Sequence, residues 1–278
     1  MKAASFEYVR ADSVQSAVTA LAGADGEGKI IAGGQSLMPM LALRLAQPAV
    51  LVDINRIPGL EAIRPRSGGG LRVGALVRHR TLAAQDQHPL LAEAARWIGH
   101  PAIRTRGTLG GSLAHADPAG ELPVVAAATG AAAIVTGPGG QRRVPAGALF
   151  GGALQTLLAD DELIEAVDFP PPGRWGFAEF ARRHGDFGLV IVAFAEVAGR
   201  LQLAVGGVAG TPVRPAGAEE VLSGGPLTRS RVAEAAAAAA AEVQPAGDIH
   251  ATAGYRRQLT RVLVTRALEQ AAAGRRAA

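Results

Sequence analysis

Two segments, Ala32-Gly33-Gly34-Gln35-Ser36 and Thr108-Leu109-Gly110-Gly111-Ser112, pair adjacent glycines with a closing hydroxyl side chain, and they constrain everything built around them. A Gly-Gly pair admits positive φ and lets main-chain N–H groups reach a ligand with no Cβ in the way. Successive N–H groups turned the same way form an anion nest. Alone, each segment reads equally well as a tight turn. Together they predict two backbone cradles for one diphosphate, with Ser36 and Ser112 able to donate to phosphate oxygens. Arg104 and Arg106, just before the second segment, either add positive charge or stay solvated.

The 278 residues suffice for one large domain or two ordinary ones. With no cysteine, the chain holds neither a thiolate-ligated iron–sulfur cluster nor a disulfide, so any such cluster belongs to another chain. The start, Met1-Lys2-Ala3-Ala4-Ser5-Phe6-Glu7, has no apolar signal core, and no later run has the length a bilayer needs. The expectation is a soluble, cytoplasmic protein without a transmembrane segment. A formal charge of +4 comes from scattered basic residues, and seven Phe, two Trp and two Tyr give little to stack bases on. No nucleic-acid partner is expected.

After Asp12-Ser13, a helix N-cap pair, apolar residues at Val14, Ala17, Val18 and Leu21 predict one helix face. Lys29-Ile30-Ile31-Ala32 reads as a buried strand entering the first glycine segment, with Ser36 capping a helix that runs to Leu45. Strands follow at 50–54 and 71–75, helical patterns at 81–85, 90–98 and 122–128, and strands near 131–135 and 163–169. Pro170-Pro171-Pro172-Gly173 interrupts strand pairing and marks the domain junction, giving domains 1–175 and 176–278. The second contains an antiparallel set at 177–182, 190–197 and 200–208, then helices at 231–242 and 255–273.

Other motifs fail on physical grounds. Gly23-Ala24-Asp25-Gly26-Glu27-Gly28-Lys29 nearly spells a P-loop, but Ile30 stands at the metal-binding hydroxyl position and the loop precedes its strand, so it is a turn. No Gly-x-Gly-x-x-Gly opens a helix after a strand, which argues against that mode of nicotinamide binding. His115 and Asp117 lack further ligands at useful spacing, so no metal is expected.

The run Gly107-Thr108-Leu109-Gly110-Gly111-Ser112-Leu113-Ala114-His115-Ala116-Asp117-Pro118-Ala119-Gly120-Glu121-Leu122-Pro123 resembles the flavoprotein, or medium, subunit of the molybdenum hydroxylases, the group containing carbon monoxide dehydrogenase and xanthine dehydrogenase. Ala32 to Leu37 is similar to that family's first pyrophosphate loop, and Ile103 to Thr108 to the approach to its second. Arg182-Arg183-His184-Gly185-Asp186-Phe187 resembles its segment near the isoalloxazine, and 206–214 its C-terminal signature.

The resemblance covers essentially the whole chain and implies an α+β protein: a two-lobed FAD-binding domain of the vanillyl-alcohol oxidase (PCMH) type followed by a smaller C-terminal α+β domain. It implies that Ile30, Ile31, Ala32, Gly33, Gly34, Gln35, Ser36 and Leu37, with Thr108, Gly110, Gly111 and Ser112, hold the FAD diphosphate. Asp117 and Glu121 would face ribityl or adenosine hydroxyls, Ile98 and Ile164 would line the cofactor, and Phe187 would lie beside the flavin ring. Glu121 replaces the family's usual Asp, and Glu179 replaces a Lys whose charge is missing or comes from Arg182 or Arg183.

The implied assembly has a molybdopterin-containing large subunit and a small subunit with two 2Fe-2S clusters. This chain would take electrons from the clusters and pass them to an external electron acceptor. No catalytic residue is demanded of the protein, because the cofactor carries the redox chemistry. Two other readings stay open: a stand-alone FAD-dependent dehydrogenase or oxidase, and a scaffold subunit that has lost its cofactor.

Overall fold

The computed structural model describes residues 2–274. The chain begins with β1 (Glu7–Arg10), α1 (Val14–Gly23), β2 (Gly28–Ile31), α2 (Leu37–Ala42) and β3 (Val50–Asp53). The three strands form a parallel sheet in the order β1-β3-β2. Ser13 caps α1 as predicted, its hydroxyl accepting from the Ser16 amide while the Ser16 hydroxyl accepts from the Ser13 amide. Two of the donors that any helix start leaves open are thereby satisfied. Ala17, Val18 and Leu21 carry α1 into a small core with Val52, Ile54 and Leu60.

α2 differs from expectation. It stops at Ala42, short of Leu45, because Arg44 takes φ +58° and the Leu45 amide turns back to the Met40 carbonyl. Ser36 makes no side-chain capping bond, which leaves its hydroxyl uncommitted to the helix.

The second lobe runs β4 (Ile63–Pro65), β5 (Leu71–Gly74), α3 (His79–Ala84), α4 (Pro89–Trp97), α5 (Pro101–Arg106), α6 (Leu109–His115), α7 (Glu121–Thr129), β6 (Ala132–Gly137), β7 (Gly140–Pro145), β8 (Phe150–Gly152), β9 (Gln155–Thr156) and β10 (Leu163–Phe169). Its antiparallel sheet has the order β4-β5-β10-β6-β7, with β8 and β9 forming a separate hairpin. α7 is buried along every residue, so it has no polar stripe. A helix apolar all round must be covered all round, and here the second covering layer comes from the remaining third of the chain.

That third is reached through Pro170–Gly173 and consists of β11 (Trp175–Phe180), β12 (Val190–Val197), β13 (Arg200–Gly206), α8 (Ala216–Ser223), α9 (Arg229–Glu242) and α10 (Ala253–Ala272). β11, β12 and β13 form one antiparallel sheet. Ile191, Ala193 and Ala195 join the core of α4 and α7, while Val192 and Phe194 join a second core with Leu263, Val264 and Ala267 of α10. The central strand is therefore apolar on both faces, as covering on both sides requires. α10 lies directly on β11: a Cβ at Gly176 would stand 1.9 Å from the Ala267 carbonyl oxygen. Among the described residues no helix is long and apolar enough to cross a membrane.

Candidate functional site

A cavity of about 500 Å³ is lined by residues of both lobes and by Gly185, Asp186 and Phe187 of the C-terminal sheet's first loop. Of the residues predicted to bind cofactor, Ile30, Ala32, Gly33, Gly34, Gln35, Ser36, Leu37, Ile98, Thr108, Gly110, Gly111, Ser112, Asp117, Glu121, Ile164 and Phe187 line it. Ile31 and Arg183 do not. Side chains alternate along a strand, and Ile31, next to Ile30, instead packs where a Cβ at Gly34 would meet it at 3.6 Å. Arg183 is exposed, its carbonyl closing a turn with the Asp186 amide.

The first glycine segment is a nest with open donors. Among the described residues, the amides of Gly33, Gly34, Gln35, Ser36 and Leu37 have no acceptor, although the residues line the cavity. Gly34 takes φ +73°, which a glycine adopts without cost. Gly33 lies against the approach to the second segment: a Cβ there would sit 2.2 Å from the Arg106 carbonyl oxygen and 3.0 Å from Gly107 Cα. The two segments, 75 positions apart from Gly33 to Thr108, are thus neighbours in space.

The second segment corrects the expectation of a second nest. It is the start of α6, and its amides are engaged within the protein: Leu109 donates to the Val77 carbonyl, Gly110 to Ala75, Gly111 to the Thr108 hydroxyl and Ser112 to the Thr108 carbonyl. Gly110 is small for packing, since a Cβ would stand 2.5 Å from that of Ala75. What this segment offers the cavity is hydroxyl groups rather than amides. Arg104 is likewise occupied, donating to the carbonyls of Ile98 and Gly99.

Three residues with no motif to mark them hold the segments together. Arg78 donates to the Arg106 carbonyl at 2.6 Å and to Asn55 Oδ1 at 2.8 Å, and Asn55 Nδ2 donates to the Ala32 carbonyl at 2.8 Å. His79 Nε2 lies 2.9 Å from both the Thr108 carbonyl and the Ser112 hydroxyl. A lone Asn or His carries no positional signal in one sequence; only the fold brings these side chains to the cradle.

Burial, opposed by the Thr108 hydrogen bond and aided by the charges of Arg104 and Arg78, holds His79 down at about 4. The unfolded chain then binds the extra proton between the ordinary histidine value and that one, so stability is full above about pH 6.5 and falls towards pH 4. His88, buried and bonded to the Pro170 carbonyl, behaves the same way. We expect urea unfolding of His79→Gln to decline less steeply with acid than the parent over this window, with the His88 share remaining. Superimposable pH profiles would remove His79 from this account.

Carboxylates gather at the start of α7. Asp117 Oδ1 accepts from the Ala119 amide, and its Oδ2 lies 3.9 Å from His115 Nε2. Glu121 is raised to about 7, chiefly by burial. Glu179, behind it on β11, is raised to about 9 by burial and then by the charge of Glu121. Apolar wall comes from Met40, Ile103, Leu154 and Phe187, of which Leu154 and Phe187 are strongly exposed. An open nest, hydroxyls and an apolar wall with exposed large side chains suit a ligand that joins a diphosphate to flat ring systems. Among the described residues no group of three His, Cys, Asp or Glu is arranged to hold a metal.

Known proteins match the chain along nearly its whole length. Residues 4–172 match the model of the FAD binding domain in molybdopterin dehydrogenase, and residues 175–271 that of the CO dehydrogenase flavoprotein C-terminal domain. The chain is 42% identical to the nicotine 6-hydroxylase medium subunit of Paenarthrobacter nicotinovorans, across 98% of this chain and 99% of that one. It is 36% identical to the carbon monoxide dehydrogenase medium chain of Hydrogenophaga pseudoflava, across 96% of each. A chain of quinoline 2-oxidoreductase from Pseudomonas putida 86 superimposes with a TM-score of 0.91 at 36% identity, covering 98% of this chain and 99% of that one.

Proposed function

We propose that this chain, which belongs to the family of FAD-binding medium subunits of molybdenum hydroxylases of the carbon monoxide dehydrogenase type, carries electrons between partner-held clusters and an outside acceptor. The partners are a large molybdopterin subunit and a small subunit with two 2Fe-2S clusters, and the working compartment is the cytoplasm. Residues 1–175 hold the cofactor and 176–278 form the C-terminal domain. The observation that carries this reading is the open row of amides from Gly33 to Leu37 on the cavity wall, packed against the Arg106 carbonyl and the cavity-lining Gly107.

FAD, when bound, supplies the redox chemistry itself. The chain's own residues bind and orient. Amides 33–37 and the hydroxyls of Ser36, Thr108 and Ser112 take the diphosphate, and donors fixed by the fold need no reordering when an anion arrives. His79 holds Ser112, while Arg78 and Asn55 keep the two segments in register. Ile30, Ile98, Ile164 and Phe187 provide apolar wall that keeps water from the rings. With no cysteine the chain cannot ligate a thiolate-bound iron–sulfur cluster itself, which supports a cluster donor on another chain.

The test is expression beside the neighbouring reading frames. The expected product is a yellow complex containing one flavin per copy of this chain together with iron and molybdenum. A colourless protein, or a flavoprotein that never associates with iron–sulfur protein, would refute the cofactor or the partner claim respectively.

A further inference from the structure

Glu121 and Glu179 are buried carboxyls, 9% and 7% exposed, and among the described residues neither belongs to an ion pair. Glu179 Oε2 is enclosed with no hydrogen-bond partner, and the Glu121 carboxyl is helped only by its own amide. An unpaired buried carboxylate is unstable enough that the group takes a proton instead. Two such groups, near enough that the charge of one raises the other, do not readily both ionise at neutral pH.

The pair lies on the seam between the domains. Glu121 is the first residue of α7 and lines the cavity. Glu179 is on the face of β11 that sends Trp175 and Phe177 into the core shared with α7, and its cross-strand partner is Ile191. Gly206 places these together: a Cβ on it would meet Val124 at 2.4 Å, the Pro118 carbonyl at 3.3 Å and Ile191 at 3.6 Å, so the flanks of Glu121 meet the neighbour of Glu179. On its other side Glu179 approaches Gly188, where a Cβ would stand 3.0 Å from Oε1, one residue beyond the cavity-lining Phe187.

The surrounding charges do not relieve the pair. Asp117, ahead of α7, adds to the negative charge, and His115 lies beside Asp117. Arg182, Arg183, His184 and Asp186 on the β11–β12 loop are exposed. Arg256 of α10 is taken by the Leu189 and Gly207 carbonyls and by Asp248.

We propose that Glu121 and Glu179 act as one proton-binding site across the domain seam, sharing a single proton at neutral pH and keeping or gaining it when negative charge enters the cavity. The step is the binding of one solvent proton to a carboxylate oxygen, and no other bond changes. The shared proton follows from the pair alone. Its coupling to electron arrival rests on the proposed FAD site.

Infrared titration of the purified chain, with and without bound flavin, reads the proton through the C=O stretch of a protonated carboxyl. The expected result is a band present at pH 7 in both forms and lost as the pH rises through about 9. Glu179→Gln, nearly the same shape, is expected to remove this alkaline-titrating band and to flatten the dependence of the flavin midpoint potential on pH. No such band in the parent at pH 7, or the same band in Glu179→Gln, overturns the proton site, and the parent titration decides this even if the variant does not fold. A band in a chain that binds no flavin supports the proton site and refutes the FAD site. A potential whose pH dependence matches in parent and variant overturns the coupling.

Discussion

Gly33→Ala is expected to give a folded chain that purifies with little or no flavin. The added Cβ would meet backbone, standing 2.2 Å from the Arg106 carbonyl oxygen and 2.8 Å from its carbon. No side-chain rotation relieves that contact. The carbonyl cannot swing aside, because Arg78 holds it at 2.6 Å while Asn55 holds Ala32, the residue before Gly33. The nest must therefore move, and its amides no longer converge on one anion. A hydrogen bond to a charged group is worth about 1.5–3 kcal/mol, so losing two weakens binding roughly 100-fold or more.

The measurements are the flavin-to-protein absorbance ratio after gel filtration and far-ultraviolet circular dichroism on the same sample. Gly110→Ala is the informative contrast, since its clash is with Ala75 and its amide already serves the Ala75 carbonyl. It is expected to lower thermal stability more than it alters flavin content. Full flavin occupancy in Gly33→Ala would show that the diphosphate lies elsewhere.

Much of the fold was legible because its elements follow strong local rules. Ser13 and the apolar spacing after it specify α1, and the uninterrupted apolar run of 190–195 specifies a doubly covered strand. Short elements were missed for the complementary reason. α5 and α6 begin at Pro101 and just after Thr108, and each is a turn or two long, too brief to show a period. Hidden by that brevity, the second glycine pair read as a loop, although its glycines serve close packing and its amides serve the helix and β5–α3 backbone. β7 was missed because Gln141, Arg142 and Arg143 face solvent on an edge strand, where nothing demands alternation.

The site divides along the same line. The open nest at 33–37 could be anticipated from glycine alone. The latch of Arg78, Asn55 and His79 could not, because each side chain acts on a carbonyl or hydroxyl more than twenty positions away. In the sequence Glu121 and Glu179 stand out only as departures from a family pattern. Their common enclosure depends on β11 folding back over α7, which no local signal announces.

Arg256→Met is expected to cause a large loss of stability in the C-terminal domain. Arg256 is 7% exposed, and its Nη1 donates to the Leu189 carbonyl at 2.5 Å and the Gly207 carbonyl at 2.9 Å, while Nη2 donates to Asp248 at 2.6 Å. Leu189 and Gly207 stand at the entry to β12 and the exit from β13, and the Gly207 amide in turn donates to the Pro118 carbonyl of the cofactor-binding domain. One guanidinium thus ties α10 to two strands at the place where the domains meet.

Methionine keeps the length and apolar stem but leaves two buried carbonyls without their donor. Each unsatisfied group costs about 1–3 kcal/mol, so a loss of roughly 2–6 kcal/mol is expected, lowering Tm by around 10 °C in a protein of this size. Asp248→Asn distinguishes the cause. Asp248 also caps the turn that its Oδ1 makes with the His250 and Ala251 amides, and it is largely exposed, so its charge is screened and its substitution is expected to cost far less. Equal losses in the two variants would mean that the ion pair, rather than the carbonyls, holds Arg256. A large loss confined to Arg256→Met, with increased proteolysis at the Gly185–Phe187 loop, would tie the clamp to the cavity wall, because that loop enters β12 through Leu189.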